Sequence, residues 1–417
     1  MNDAARVLAF VMLLLLPAKA GADGMAFRNV STGGSLEVRA TAQRAVMWLR
    51  SSVWEIHVQP VFEREAGASA WVIPFPVQPQ VHASSTAFFD QLELVTSPVF
   101  LKYCSEDSGG VGCGAARADG YGGESSDGSQ VSVTVWQSGE VGSLDYVVLS
   151  ASGGDDIAAW LESEGYYLSA PAAAILGNLD TEGLYFFAAR LSEDADPLES
   201  LAPVRFVLPG MDPPSYPLRL TGLGAPAGEA LDLTIWVIVD ADRGFVPQSH
   251  PYGYLSVDPR DPDEYDAAID RYFEGHGPGM LVALAAVGWE LPTIMESHEF
   301  CAEFMVCATF SDLDVEPPTE WATELEEIKD SSFTIYRYQG RLTAEAMASD
   351  LTLVPAPAYD MPWASNVYGE NLGDCDDIGP YSFCAMAGRP GVGWIALVAL
   401  LVAGAALLFL RKTRARR

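Results

Sequence analysis

Val53-Trp54-Glu55-Ile56-His57-Val58-Gln59 alternates apolar and polar residues without a break. Successive side chains of a strand leave opposite faces, so Trp54, Ile56 and Val58 share one face and Glu55, His57 and Gln59 the other. This is the period of a half-buried antiparallel strand, with His57 on the face turned to solvent. Downstream, Trp71-Val72-Ile73-Pro74-Phe75-Pro76-Val77 is apolar and extended. Its two prolines confine it to a sheet edge or a strand end, because proline has no N–H to give to a ladder.

Outward from these strands the pattern changes period. Over residues 85–95, Ser85 or Thr86 can cap a short helix in which Phe88, Leu92 and Val95 recur at helical spacing. Residues 105–130 are glycine-rich and almost free of large apolar side chains, which predicts a surface loop or a segment held by a staple from Cys104 to Cys113. Strands resume at 131–136 and 144–149. Asp155 or Asp156 then caps a helix with a buried stripe of Ile157, Trp160 and Leu161, stopped by Gly165. Apolar runs follow at 184–189, 204–208 and 231–239, then an acidic helical stretch at 262–273, a strand at 333–338 and a short helix at 343–347. No repeat period is visible. Strands come in runs, so the class is α+β, mainly antiparallel sheet with interspersed short helices, plus one C-terminal transmembrane helix.

The two ends predict topology. Arg6, the apolar run 7–16 and Ala18-Lys19-Ala20 form a signal peptide over residues 1–20, too short to span a ~30 Å hydrocarbon layer. Residues 392–410 carry no charge, and at ~1.5 Å rise per residue they extend roughly 28 Å, enough for one crossing. Five cations follow in residues 411–417, against Arg389 on the other flank, which puts the C-terminus in the cytoplasm. Residues 21–391 are then extracytoplasmic, as one large domain or two closely packed ones. The glycine-proline break, apolar helix and basic end also resemble bacterial sorting tails that a processing enzyme removes, with Cys384-Ala385-Met386-Ala387-Gly388 the nearest match to their motif.

The net charge is −32. Such a surface repels phosphate backbones, so nucleic acid is excluded as a partner. The acids are scattered and not set at coordination spacing, which favours solubility over collection of divalent cations. All six cysteines lie in the exported segment, an even count in an oxidising compartment. They fall in three close pairs, predicting Cys104–Cys113, Cys301–Cys307 and Cys375–Cys384. No C-x-x-C occurs, and no histidine stands at ligand spacing from two of them, against zinc and redox motifs.

Chemistry is sparse at the level of motifs. Neither G-x-S-x-G nor H-E-x-x-H occurs. His57, His82, His250, His276 and His298 are widely spaced and read as surface or structural residues. Gly110-Val111-Gly112-Cys113-Gly114-Ala115 fits a dinucleotide fingerprint in letters only, since no helix follows it. Asp240-Ala241-Asp242-Arg243-Gly244 opens like a calcium loop, but Pro251 stands where the bidentate glutamate belongs, so an Asp-rich turn is expected. Asp374-Cys375-Asp376-Asp377 is a further acidic cluster. No catalytic, cofactor-binding or metal residue is assigned, and no cofactor.

Several stretches together resemble the exported bacterial proteins of domain-of-unknown-function family 2330. They are Gln43-Arg44-Ala45 before the alternating strand, Ala70 with the segment from Trp71 to Val77, Gly142-Ser143-Leu144-Asp145-Tyr146, and Ala158-Ala159-Trp160-Leu161-Glu162-Ser163-Glu164-Gly165-Tyr166. Tyr216-Pro217-Leu218-Arg219-Leu220-Thr221 and Arg341-Leu342-Thr343-Ala344-Glu345-Ala346-Met347 continue the same order. The resemblance implies a signal peptide and often a C-terminal membrane segment, and it brings no reaction. Gly21-Ala22-Asp23-Gly24-Met25 departs from the family in lacking a cysteine-glycine motif at the mature N-terminus.

The expectation is a membrane-anchored envelope protein with a binding or structural role, its partner an envelope protein or a glycan. The rivals are a surface hydrolase using carboxylates and a calcium-dependent adhesion module. A cleft with two converging carboxylates, or a serine beside a histidine, would favour the hydrolase.

Overall fold

A computed structural model describes residues 25–28, 39–63, 69–103, 133–142, 144–151, 156–191, 202–224, 230–255, 259, 261–288, 290–301, 307–310, 313, 315–329, 333–356, 367–371 and 384–387. Strands and helices are numbered in chain order. Two sheets dominate. One has five antiparallel strands in the order β1 (Met25–Arg28), β4 (Ser69–Phe75), β9 (Tyr185–Leu191), β8 (Leu144–Ala151) and β7 (Val133–Val141). The other has eight: β14 (Tyr252–Tyr254), β15 (Leu281–Val287), β18 (Phe333–Leu342), β12 (Leu231–Asp240), β2 (Arg39–Arg50), β3 (Val53–Glu63), β10 (Val204–Leu208) and β5 (Gln80–Ala83). Its β12–β2 and β14–β15 pairs are parallel and the rest antiparallel.

Smaller sheets accompany them: β11 (Ser215–Tyr216), β19 (Leu351–Ala356) and β13 (Gly244–Pro247); the hairpin β16 (Glu299–Cys301) with β17 (Cys307–Thr309); and β20 (Val367–Asn371), β6 (Val99–Tyr103) and β21 (Cys384–Ala387). The helices are α1 (Thr86–Thr96), α2 (Asp156–Ser163), α3 (Ala170–Thr181), α4 (Thr221–Gly224), α5 (Pro262–His276), α6 (Leu291–Ser297) and α7 (Thr323–Lys329), with a 3-10 turn at Ala346–Ala348. This is the expected α+β class, with sheets that are mainly antiparallel.

The two large sheets pack face to face. Phe206 on β10 meets Phe75 on β4 at 4.7 Å and Phe187 on β9 at 4.9 Å between ring centres, in a core that also holds Ile56, Val58, Trp71, Ile235, Val237 and Tyr338. Helices cover both outer faces. On the eight-stranded sheet, Val46, Trp48, Trp236 and Ile335 pack against Phe88, Phe89 and Leu92 of α1, Leu291 of α6 and Leu325 of α7. On the five-stranded sheet, Val72, Leu149 and Phe186 pack against Ile157 and Leu161 of α2 and Leu176 and Leu179 of α3.

Helix ends follow local chemistry. The Ser85 hydroxyl accepts from the Phe88 N–H at 3.2 Å, which satisfies one donor of the first turn of α1. Ser169 does the same for α3 and Asp261 for α5. The first turn of α2 is served from outside, the Ile157 N–H donating to Asp180 Oδ2 on α3 at 3.1 Å.

The four-layer arrangement corrects one expectation and decides another. Glu55, His57 and Gln59 do not face solvent: all three are buried, because α1 lies across that face of β3. Of the two places open to the segment from Trp71, the sheet edge is not taken, since β4 runs between β1 and β9 with every residue buried. Pro74 is the last residue but one of β4 and Pro76 lies beyond it, so the strand end is the place the prolines take. Trp160, expected inside the α2 stripe, is only half-buried, and Ala158 takes the buried position. Among the described residues no helix is long and apolar enough to cross a membrane. Residues 1–20, 105–130, 392–410 and 411–417 lie outside the described residues.

Candidate functional site

The alternation of β3 places Glu55 and His57 on the helix-covered face, and β10 adds Arg205 beside His57 in register. β5 ends at Ala83, and the chain then turns into α1 through Ser84, whose N–H donates to the Pro203 carbonyl at 3.0 Å. That turn brings the Ser84 Oγ to 2.8 Å from His57 Nδ1. The imidazole is 0% exposed, with Phe88 of α1 edge-on at 5.2 Å and Trp48 of β2 tilted at 6.4 Å. On its other side Glu55 Oε2 stands 3.8 Å from His57 Nε2, an ion-pair separation and too long for a hydrogen bond. Among the described residues neither of these two buried atoms has a hydrogen-bond partner.

Two guanidinium groups hold the carboxylate. Arg50 Nη1 and Arg205 Nη1 each lie 3.6 Å from Glu55. Burial pushes the Glu55 carboxyl up, but the His57 ring and the Arg205 and Arg50 charges outweigh it and leave it below its ordinary value. Burial also pushes the His57 imidazole down; Glu55 and Glu324 oppose this, Arg205 adds to it, and the ring stays below 6.5, neutral at pH 7. A neutral imidazole carries one proton. With a carboxylate beside Nε2, that proton belongs on Nε2, which leaves the Nδ1 lone pair to accept from the Ser84 hydroxyl.

A second feature is an open recess of ≈ 400 Å³ lined by Ser249, His250, Pro251, His276, Pro278, Gly279, Met280, Thr343, Glu345 and Ala346. His250 is built in: it is 2% exposed, its Nε2 lies 3.0 Å from the Ala346 carbonyl and its Nδ1 3.0 Å from the Ser249 Oγ. Burial pushes its pKa down despite the Ala346 carbonyl. His276 is exposed, stacked on Tyr272 at 4.3 Å, with its Nδ1 donating to the Tyr272 carbonyl at 2.8 Å. Its Nε2 is the ring nitrogen left for a ligand.

Residues 27–247, more than half of the chain, match the model of a family described as an uncharacterized protein conserved in bacteria (DUF2330). The chain belongs to the DUF2330 family. No curated protein and no solved structure matches it. The DUF2330 match contains Glu55, His57, Ser84 and Arg205, whereas the recess begins at Ser249, just beyond it. It also ends between β12 and β18, which are hydrogen-bonded neighbours, so β14, β15 and β18 complete the eight-stranded sheet from outside the match. The stretch Arg341–Met347, to which the resemblance extended, lies in that outer part.

The structure separates the five histidines. His57 and His250 are buried, His82 and His276 exposed, and His298 caps the end of α6 in the left-handed region at φ 58°. Asp240 and Asp242 sit in the turn between β12 and β13, where the Arg243 N–H donates to the Asp240 carbonyl at 2.9 Å, as an Asp-rich turn predicts. The segment 110–115 and the cluster at Asp374 lie outside the described residues. Among the described residues no group of three or more His, Cys, Asp and Glu side chains is placed to hold a metal ion. The Ser84–His57 pair was missed in the sequence because 27 positions separate its members and no local motif joins them.

Proposed function

We propose that this protein is a single-pass envelope protein whose extracytoplasmic α+β region binds a hydroxyl-rich glycan in the recess at residues 249–251, 276–280 and 343–346. The observation that carries the binding role is the lining of that recess. Pro251, Pro278 and Met280 offer apolar surface for the C–H face of a sugar. The ring nitrogen of His276, the Thr343 hydroxyl and the Glu345 carboxylate offer hydrogen bonds to its hydroxyls. Glu345 is ionised at neutral pH, its carboxyl held below the ordinary range by its own backbone N–H and the Thr343 hydroxyl.

The anchor rests on the uncharged run 392–410 and the five cations after it. β21 ends at Ala387, so four residues, 388–391, join it to the apolar run. Fully extended, they reach at most about 14 Å, which keeps the sheet of β20, β6 and β21 close to the bilayer surface. The test is calorimetric titration of the full chain in detergent micelles with short N-acetylglucosamine oligomers. Saturable binding that His276→Ala weakens at least tenfold, about 1.4 kcal/mol, supports the reading. Absence of saturation at millimolar sugar removes it.

A further inference from the structure

Beyond ligand binding, we propose that Ser84, His57 and Glu55 form an acyl-transfer site in which Ser84 is the nucleophile, His57 takes its proton at Nδ1, and Glu55 positions and charge-stabilises the imidazole from the Nε2 side. Two observations meet here. The Ser84 Oγ is 2.8 Å from Nδ1, the separation a proton transfer requires. His57 is completely buried, its Nε2 has no hydrogen-bond partner among the described residues, and that nitrogen faces at 3.8 Å the Glu55 carboxylate that Arg50 and Arg205 flank at 3.6 Å. A purely structural histidine at such a depth would have both ring nitrogens hydrogen-bonded, because an orphaned buried polar atom costs about 1–3 kcal/mol. A carboxylate facing one ring nitrogen while a hydroxyl sits on the other stabilises the imidazolium that forms when the ring takes the serine proton, which is the part a carboxylate plays in general-base chemistry.

Access lies on the serine side. Ser84 is half-buried, and its neighbours Ala83, Thr86 and Ala87 are exposed, so a substrate can reach Oγ while the imidazole stays dry. Ser84 also stands immediately before the Ser85 cap of an eleven-residue helix. The Thr86 and Ala87 N–H groups of its first turn have no acceptor within the helix and carry the positive end of its dipole, a stabilising environment for an oxyanion formed at the Ser84 acyl centre. The substrate class is an ester or thioester presented at the protein surface. Ser84 Oγ bonds to the carbonyl carbon and its proton moves to Nδ1. The adduct then expels the alkoxide or thiolate, which leaves with that proton. Water attacks the acyl-serine by the same proton route, releasing the acid and restoring the hydroxyl.

The groups that face His57 set the pH dependence: Glu55 beside it on β3, Arg205 from β10 and Glu324 from α7. The experiment is labelling of the full chain in detergent with a fluorophosphonate, in which Ser84 Oγ displaces fluoride from phosphorus. The proposal expects stoichiometric label on the peptide holding Ser84, none on Ser84→Ala, and a rate on the order of 100-fold lower for His57→Gln. The wild-type rate should fall at acid pH through one histidine-like ionisation, and Glu55→Gln should move that limb to lower pH, since the carboxylate raises the basicity of the ring. A structural glutamate would change the amount of folded protein and leave the limb where it was. No label, label on another residue, or a wild-type rate without an acid limb overturns the assignment, and the last of these needs no variant that folds.

Discussion

Asp350 binds Arg219 through both main chain and side chain: its Oδ1 accepts from the Arg219 N–H at 3.1 Å and its Oδ2 from the guanidinium Nε at 3.0 Å. The Leu218 N–H donates to the same Oδ1 at 2.9 Å. One carboxylate thus ties the chain before α4 to the start of β19. Asp350→Ala should strip acceptors from two backbone donors and a charge from Arg219, costing about 2–3 kcal/mol. Asp350→Asn keeps one acceptor oxygen and should cost about half as much. Urea unfolding checks this, with the midpoint falling and the slope unchanged.

Trp236 predicts a second cost. It is completely buried on β12, its Nε1 donating to Thr96 Oγ1 at 3.0 Å, and that hydroxyl donates in turn to the Leu92 carbonyl at 2.6 Å. Thr96→Val keeps the shape and leaves the indole N–H unpaired, so it should destabilise by about 1–3 kcal/mol. Pairing it with Trp236→Phe should recover part of that loss, because the orphaned donor is then gone. A double-mutant cycle in denaturant measures the recovery.

His57 shows where the sequence was legible and where it was not. The period of β3 correctly sorted Trp54, Ile56 and Val58 from Glu55, His57 and Gln59. What it does not carry is whether the second face is covered, which depends on α1 and α7, recruited from residues 86–96 and 323–329. The α1 cap and stripe were readable because Ser85, Phe88, Leu92 and Val95 all carry local signals. α3 was missed, although Ser169 and Pro171 mark its start, because a run of alanines makes a weak stripe. β15 is missed for the converse reason: Leu281–Val287 is apolar throughout, so no period separates strand from helix.

The same burial sets a pH dependence. His57, His82 and His250 all have folded pKa values below their ordinary 6.5. Below 6.5 the unfolded chain binds the protons these groups resist, so their stabilising contribution is complete above that pH and is lost as pH falls toward the folded values. Asp266 and Glu290, raised by burial, act with the opposite sign and partly offset the loss. The melting temperature should therefore fall from pH 7 to pH 5, and His57→Gln should flatten that slope. Below 4.5 the lowered Glu55 adds a further loss. Thermal melts in buffers of equal ionic strength test both limbs.

Cys301 and Cys307 are direct cross-strand partners in the β16–β17 hairpin. Opposed antiparallel positions lie about 4.5–5.5 Å apart at Cα, inside the window a disulfide needs. In protein from an oxidising compartment the peptides holding these residues should be joined, and reduction should cost about 2 kcal/mol for so short a loop. Alkylation of both thiols without reductant would refute the pairing.

Gly253 links the sheet edge to the recess. A Cβ there would meet Tyr272 Oη at 2.7 Å, and that hydroxyl donates to the Leu281 carbonyl at 2.7 Å. Tyr272 is also the ring on which His276 stacks. Gly253→Ala should therefore push Tyr272 aside, cost about 1–3 kcal/mol from overpacking, and carry His276 out of place. If His276 is the sugar-binding group, Gly253→Ala weakens binding in the wild-type background and changes nothing further in His276→Ala. A loss that simply adds to that of His276→Ala would mean that the glycine shapes the recess by another route, through Pro251 or Met280 at its wall.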